Sequence, residues 1–147
     1  MRIFIDADGC PVVPLAIRLA KEHSLPVTVV KNYAHEVEDA YAEIVTVDIS
    51  PDAADYYIAN ALKKGDILIT QDYGLAAMAL SRGARCLSQN GLILSDHNIL
   101  SLLDRRHVNR KLRKTQGIYT KLKKRTPADD EAFRQTFLQL ITSSLQP

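Results

Sequence analysis

The sequence contains no tryptophan and only two cysteines in 147 residues. Cysteines as far apart as Cys10 and Cys86 predict neither a disulfide framework nor a thiolate metal site, so we interpret both as small buried side chains. No apolar run approaches the roughly eighteen residues of a membrane span, and the chain does not start with the pattern of a signal peptide. These absences predict a cytoplasmic protein that has no membrane partner.

Several common catalytic motifs are also missing. The four histidines show no metal-ligand spacing, and the serines do not lie in a nucleophile elbow. The glycines have neither the dinucleotide-binding nor the P-loop spacing. The sequence therefore gives no support to nucleotide-cofactor chemistry or to a serine nucleophile.

The composition is that of an ordinary globular protein, with 46% hydrophobic and 24% charged residues. A chain of this length is predicted to form one domain, residues 1–147. The net charge of +2 conceals an asymmetry, because residues 1–104 contain 14 acids and 8 bases whereas residues 105–147 contain 11 bases and 3 acids. Such a split suggests that one part of the surface binds a polyanion.

The first eleven residues form the most informative stretch. An apolar run from Arg2 to Ile5 predicts a buried strand, and it ends in Asp6 and Asp8. One residue separates the two acids, so both side chains leave the same face if the extended conformation continues. A turn at Gly9 and a following helix would place them where a strand meets a helix N-terminus, a common position for ligands in α/β sheets.

Apolar strands alternate with amphipathic helices over the first ninety residues. The pattern predicts strands near 2–5, 27–30, 44–47, 67–70 and 84–87, and helices near 11–23, 50–64 and 75–80, with Ser50-Pro51-Asp52 as the start of the second helix. Residues 32–41 are interpreted as a loop or a short helix. We therefore expect an α/β three-layer sandwich, with a mostly parallel four- to five-stranded sheet and helices on both faces. C-terminal helices follow from about residue 96.

Two further acids are candidates for the same site. The strand at 67–70 ends at Asp72, which repeats the arrangement at the start of the chain. Asp55 shares a helix face with Ile58, Ala59 and Leu62, so it is predicted to point toward the sheet. Asp66 precedes its strand, and we interpret it as structural.

Four acids at one sheet end would repel one another unless a cation lies between them or some of them are neutral. Oxygen ligands without histidine or cysteine favour Mg²⁺ or Mn²⁺, which can polarise a phosphoryl oxygen and activate water. The alternative is that Asp6 and Asp8 cap the following helix and that Asp72 forms a turn. The sequence thus predicts a metal or phosphate site at Asp6, Asp8, Asp55 and Asp72.

A basic stretch near the C-terminus is the second candidate site. Between residues 105 and 125 there are ten Lys or Arg residues and no acid. Unmixed positive charge over this length favours contact with a nucleic-acid backbone over a merely solvated helix face. The predicted nucleic-acid-binding residues are Arg105, Arg106, Arg110, Lys111, Arg113, Lys114, Lys121, Lys123, Lys124 and Arg125.

Blocks of sequence along nearly the whole chain resemble the YaiI/YqxD family of bacterial proteins, which is similar to PIN-like nuclease domains. The matching blocks are DADGCPV at 6–12, DAAD at 52–55, GDILITQDYGLA at 65–76, and Asp129 with Phe133. The resemblance implies a PIN-like domain whose acidic pocket is formed by Asp6, Asp8, Asp55 and Asp72, and PIN-like nucleases use such acids to hold Mg²⁺ or Mn²⁺ for RNA cleavage. The family's Gly-Gly-Pro turn before the last helix is replaced here by Lys121-Leu122-Lys123.

Three functions remain open from the sequence. The first is a metal-dependent nuclease that acts on RNA through the four aspartates. The second is a non-catalytic nucleic-acid-binding module in which the acids serve the structure. The third is a phosphatase that resembles haloacid-dehalogenase enzymes, with Asp6 as nucleophile and Asp8 as acid or base.

Overall fold

Six strands form one sheet in the computed structural model, which describes residues 1–50, 52–117 and 124–145. In chain order they are β1 (Ile3–Asp6), β2 (Val27–Asn32), β3 (Glu43–Val47), β4 (Ile67–Ile69), β5 (Arg85–Leu87) and β6 (Ile93–Leu94). The order across the sheet is β3-β2-β1-β4-β5-β6, with the first five strands parallel and β6 antiparallel to β5. The predicted, mostly parallel sheet is confirmed, and β6 is an addition of two residues, too short to show a sequence pattern.

Helices cover both faces of this sheet, as predicted. They are α1 (Val13–Glu22), α2 (Ala53–Ala61), α3 (Tyr73–Ser81), α4 (Ile99–Gln116) and α5 (Pro127–Leu145). The buried side chains of α1 and α5 share one apolar cluster with the sheet, and those of α2, α3 and the start of α4 share the cluster on the opposite face. The molecule is therefore an α/β three-layer sandwich.

The side chains of the central strand β1 show why helices pack on both faces of the sheet. Successive side chains of a strand point to opposite faces, so Ile3 and Ile5 join the cluster with α1 and α5, while Phe4 joins the cluster with α2 and α3. All three side chains are buried. Burial on both faces explains why β1 is a continuous apolar run without alternating polar residues.

The predicted start of the second helix needs a correction. The helix α2 begins at Ala53, with Asp52 at the capping position and no side-chain capping hydrogen bond, so Ser50 is not its N-cap. Pro51 lies outside the described residues. The helix also ends at Ala61, earlier than the predicted Lys64, because Leu62 adopts an extended conformation. Residues 33–42 form a loop without a helix.

The last helix begins with a capping arrangement between Thr126 and Asp129. Oδ2 of Asp129 accepts hydrogen bonds from the backbone N–H of Thr126 at 2.8 Å and from its hydroxyl at 3.3 Å. Phe133 and Phe137 are fully buried, with ring centroids 5.4 Å apart. Burial of these rings under the sheet anchors α5.

A crevice opens where the chain changes direction across the sheet. After β1 the chain enters α1 on one face, and after β4 it enters α3 on the opposite face. Neighbouring strands whose helices leave to opposite faces create a gap at their carboxyl ends, and ligands of open α/β sheets bind in such gaps. Over the described residues, none of the helices has the length and apolar character needed to cross a bilayer.

Candidate active site

A cavity of about 200 Å³ lies at the carboxyl ends of β1 and β4. Its walls combine three acids from the strand ends with one guanidinium from α4 and a set of smaller polar and apolar groups. The lining residues are Asp6, Asp8, Cys10, Ile69, Thr70, Gln71, Asp72, Gln89 and Arg106. The crevice between β1 and β4 is thus acidic on its sheet side and receives a basic side chain from the C-terminal part of the chain.

The hydroxyl of Thr70 connects the two acidic strand ends. It donates a hydrogen bond of 2.8 Å to Oδ2 of Asp6 and accepts one of 2.9 Å from the backbone N–H of Asp72. Thr70 is itself buried, so the position of its hydroxyl is set by the core. Asp6 is therefore held by a group from the neighbouring strand.

Asp8 is held from the other side by the end of β2. Its Oδ2 accepts a hydrogen bond of 3.1 Å from Nδ2 of Asn32, and its Oδ1 lies 3.7 Å from Nε2 of His35. The helix α1 begins without a side-chain capping hydrogen bond. The alternative that Asp6 and Asp8 cap this helix is therefore wrong.

Asp72 has a structural partner in addition to its place in the cavity. It is the N-cap of α3, and its Oδ1 accepts a hydrogen bond of 3.1 Å from the backbone N–H of Leu75. A Cβ at Gly74 would lie 3.3 Å from the same oxygen, so the glycine leaves room for the carboxylate. The capping bond thus fixes the orientation of this carboxylate at the edge of the cavity.

Asp55 adjoins this cluster but does not line the cavity. It lies in the first turn of α2, half-buried as its helical position predicts, and its carboxyl is within hydrogen-bonding reach of Asp72. Asp6 and Asp52 also act on its charge. The structure thus brings all four predicted acids together, with Asp6, Asp8 and Asp72 around the cavity and Asp55 behind Asp72.

Burial and mutual repulsion make these acids difficult to ionise together. Burial, together with the charges of Asp72 and Asp8, raises the pKa of Asp6 to about 6, although the hydrogen bond from Thr70 opposes the change. Burial, followed by the charge of Asp72, raises the pKa of Asp55 to about 7. Asp6 and Asp55 therefore keep their protons to a higher pH than isolated aspartates do, because their raised pKa values reflect burial close to other acids.

The donor set fits a hard divalent cation that keeps part of its water shell. The cavity offers carboxylate oxygens and the amides of Gln71 and Gln89, which suit Mg²⁺ or Mn²⁺. Within residues 1–50, 52–117 and 124–145, no group of three or more His, Cys, Asp or Glu side chains is arranged to hold a metal ion. A Mg²⁺ site commonly uses only one or two carboxylates together with several waters, so it does not require a group of three acids.

Most of the predicted basic residues lie on the exposed part of α4. Arg106 is the residue of this set that lines the acidic cavity. The other exposed residues of the set are Arg105, Arg110, Lys111, Arg113 and Lys114 on α4 and Lys124 before α5. Lys121 and Lys123, and with them the Lys121-Leu122-Lys123 segment, fall outside the described residues.

Arg125 has a structural role that the sequence did not indicate. Its guanidinium donates hydrogen bonds to Oδ1 of Asp130, to Oδ1 of Asn90 and to the backbone carbonyl of Gln89, at 2.8, 2.8 and 2.9 Å. These bonds fasten the turn after β5 to the start of α5. Since three of its donors are engaged within the chain, we leave Arg125 out of the proposed phosphate contacts.

Sequence reasoning missed four residues that shape the site: Thr70, Asn32, His35 and Gln89. Each lies just beyond or at the end of a strand, so its position followed from the strand prediction. The contacts of each residue did not follow from it, because the partner comes from the end of a different strand or from another part of the chain. Asp66 is the contrasting case: it is buried at the opposite end of the sheet, accepts backbone hydrogen bonds from Arg2 and Lys63, and is structural as predicted.

Comparison with known proteins identifies relatives over nearly the full length. The family model described as "Uncharacterized BCR, YaiI/YqxD family" matches residues 4–143. A "UPF0178 protein" from Alkaliphilus oremlandii is 45% identical over 99% of this chain and 94% of its own, and one from Ruminiclostridium cellulolyticum is 43% identical over 96% and 92%. These descriptions do not mention PIN domains, so the PIN-like part of the resemblance stays a prediction, as does the single-domain boundary.

A search of solved structures finds Rae1 (YacP) from Bacillus subtilis, which is 14% identical. The match covers 97% of this chain and 99% of that one, with a TM-score of 0.46. No conclusion about this chain rests on a likeness of that size.

Proposed function

The chain belongs to the YaiI/YqxD family, and on that premise we propose that it is a metal-dependent phosphodiesterase that cleaves RNA. The observation that carries the proposal is a single cavity in which Asp6, Asp8 and Asp72 face Arg106. Acids alone repel a phosphodiester, and a basic helix alone only binds one. Their combination in one crevice supplies the two halves that phosphoryl transfer requires, a place for a divalent cation and a positive group for the phosphate.

Asp8 and Asp72 would bind Mg²⁺ or Mn²⁺ directly, with Asp6 and Asp55 completing the site. When bound, such an ion supplies charge neutralisation at the phosphoryl oxygens and lowers the pKa of a bound water. Neighbouring residues of the chain orient the acids. Thr70 orients Asp6, Asn32 orients Asp8, and the capping bond to Leu75 orients Asp72.

The basic surface of α4 would position the substrate. Arg106 reaches the cavity and can donate hydrogen bonds to the scissile phosphate, since a guanidinium presents donors in a fixed fork. The exposed bases on the same helix can contact neighbouring phosphates, and they supply affinity without reading sequence. These backbone-contacting residues are Arg105, Arg110, Lys111, Arg113 and Lys114, with Lys124 beyond the helix and Lys121 and Lys123 from the sequence prediction.

The test measures cleavage of single-stranded RNA with Mn²⁺ and with EDTA. We expect cleavage by the wild type only with the metal, and no cleavage by Asp8→Asn. Asp96→Asn is the matched control, because it neutralises an exposed acid that does not line the cavity. Metal-dependent cleavage that persists unchanged in Asp8→Asn would exclude the proposed site.

A non-catalytic nucleic-acid-binding module is the second candidate. The observation in its favour is that Asp72 caps α3 and Asp8 binds Asn32, so both acids also have structural partners. This function predicts RNA binding that is steeply salt-dependent but indifferent to Mg²⁺ and to Asp72→Asn. Binding and cleavage measured side by side, with and without metal, separate the two candidates.

The phosphatase candidate has less support from the cavity. A nucleophilic Asp6 would need an ionised, accessible carboxylate, whereas Asp6 is half-buried and its Oδ2 accepts a hydrogen bond from Thr70. Failure to trap a phosphoryl-aspartate analogue on Asp6 would remove this candidate.

A further inference from the structure

The side chain of Gln89 contains an oxygen that the chain itself does not use. Among the side-chain nitrogen and oxygen atoms that are buried in the described residues, Oε1 of Gln89 is the one without a hydrogen-bond partner. Gln89 lines the acidic cavity. Buried polar groups are nearly always paired, so an unpaired acceptor on a residue that lines a cavity calls for a partner from outside the chain, either a water or a ligand.

The backbone at Gln89 is held by hydrogen bonds on several sides, which fixes the point from which its side chain extends. The backbone N–H donates to Oε1 of Gln71 at 3.2 Å, and the backbone carbonyl accepts from Arg125 at 2.9 Å. In the same turn, Oγ of Ser88 accepts hydrogen bonds from the backbone N–H groups of Asn90 and Leu92.

The chemistry of the cavity restricts what the missing partner can be. The ionised acids around it are acceptors, and a phosphodiester is also an acceptor, so neither can donate to Oε1, whereas a water can donate to it and a cation can bind it. A divalent cation satisfies the amide oxygen and the carboxylates at the same time, and carbonyl oxygens of this kind are hard ligands. The carboxylates by themselves do not form a three-ligand group in the described residues, so an ion at this position needs further oxygen donors.

We propose that Gln89 supplies a neutral amide oxygen to a divalent cation bound at the acidic cavity. The inference rests on the metal site of the proposed function, but it concerns binding of the ion and not cleavage. It makes the turn after β5 the third wall of the metal site, besides the ends of β1 and β4. Gln89 is thereby a ligand that sequence patterns based on acidic residues alone do not reveal.

The test titrates Mn²⁺ at pH 8 without RNA and follows the signal of the free ion by electron paramagnetic resonance. We expect Gln89→Leu to bind Mn²⁺ about tenfold more weakly than the wild type or worse, in the range seen when supporting groups of metal sites are removed. Gln139→Leu, the same substitution at an exposed position of α5, is the control and should leave the affinity unchanged. Equal affinity of Gln89→Leu and the wild type, or no Mn²⁺ binding by the wild type, would overturn the inference.

Two further measurements complete the design. In EDTA, Gln89→Leu should unfold at the same temperature as the wild type or higher, because the variant removes an unpaired acceptor. A lower melting temperature would mean that the amide is bonded within the chain, and the inference would fail. Gln89→Glu keeps an oxygen ligand and should bind Mn²⁺ at least as tightly as the wild type. If Mn²⁺ binding follows this pattern but no RNA is cleaved, the inference stands and the proposed function fails.

Discussion

Thr70 donates a hydrogen bond of 2.8 Å to Oδ2 of Asp6, across the pairing of β4 with β1. The same hydroxyl accepts the backbone N–H of Asp72 at 2.9 Å, so one buried group orients the acids of both strands. The hydroxyl of Thr70 thereby keeps the carboxylates of Asp6 and Asp72 close together. Removal of this hydroxyl should affect both acids.

We expect Thr70→Val to destabilise the protein by about 1–3 kcal/mol, because a buried N–H and a carboxylate lose their shared partner. Since the hydrogen bond from Thr70 lowers the pKa of Asp6, this pKa should rise further in the variant. Thr70→Ser keeps the hydroxyl and serves as the control. Urea unfolding measures the free energy, and NMR titration of the Asp6 carboxyl measures the pKa; identical values for both variants would contradict the assigned role.

Stability without metal should decrease as the pH rises. Burial raises the pKa of Asp6 in the folded protein to about 6 from an ordinary 3.8, so the folded state binds this proton more tightly than the unfolded chain does. The stabilisation is complete below pH 3.8 and is lost as the pH rises through about 6, and for Asp6 it amounts to about 3 kcal/mol. Asp55, whose pKa is raised to about 7, acts in the same direction.

The measurement is the free energy of unfolding in EDTA between pH 4 and pH 8. Asp6→Asn should flatten this dependence, since the amide does not titrate. Addition of Mn²⁺ at pH 8 should restore stability in the wild type but not in the variant. If the free energy of unfolding of the wild type increased steadily over this range, groups other than Asp6 and Asp55 would dominate its pH dependence.

Substitution of Arg106 should lower the rate of cleavage, whereas substitution of Arg113 should weaken RNA binding. Arg106 lines the cavity, whereas Arg113 is exposed in the last turn of α4. Arg106→Ala is expected to lower kcat about a hundredfold, as loss of one charge-stabilising donor does elsewhere. Arg113→Ala should weaken RNA binding and reduce the salt slope by about 1 with kcat unchanged. Kinetics at saturating RNA and binding over a salt series distinguish the two effects.

The turn after β5 should be intolerant of a side chain at Gly91. This residue has a φ of +83°, and a Cβ there would lie 2.5 Å from the backbone oxygen of Ala132 in α5. Gly65 has a φ of +90° with nothing within 4 Å of the added atom. A substitution at Gly65 therefore measures conformational strain without a steric collision. We expect Gly65→Ala to cost about 1 kcal/mol and Gly91→Ala at least about 2 kcal/mol more, measured by urea unfolding.

The sequence predicted the parallel sheet, the two helical layers and the grouping of four acids, because each depends on local periodicity and on where strands end. It did not predict β6, whose two residues carry no pattern, or the start of α2, where turn and helix signals overlap at Ser50 and Asp52. The contacts of Thr70, Asn32 and Gln89 could not be predicted either. They depend on which strands become neighbours, and this is decided by packing of the whole chain.

The crevice at the ends of β1 and β4 is made by the route of the main chain, since α1 and α3 leave on opposite faces of the sheet. Its shape therefore does not depend on the charge of the side chains that surround it. A variant with asparagine in place of all four acids should retain the opening while losing the repulsion inside it. Under the proposed function, such a variant would retain a nucleic acid that the wild type would cleave and release as fragments, so that the bound molecule could be recovered and sequenced.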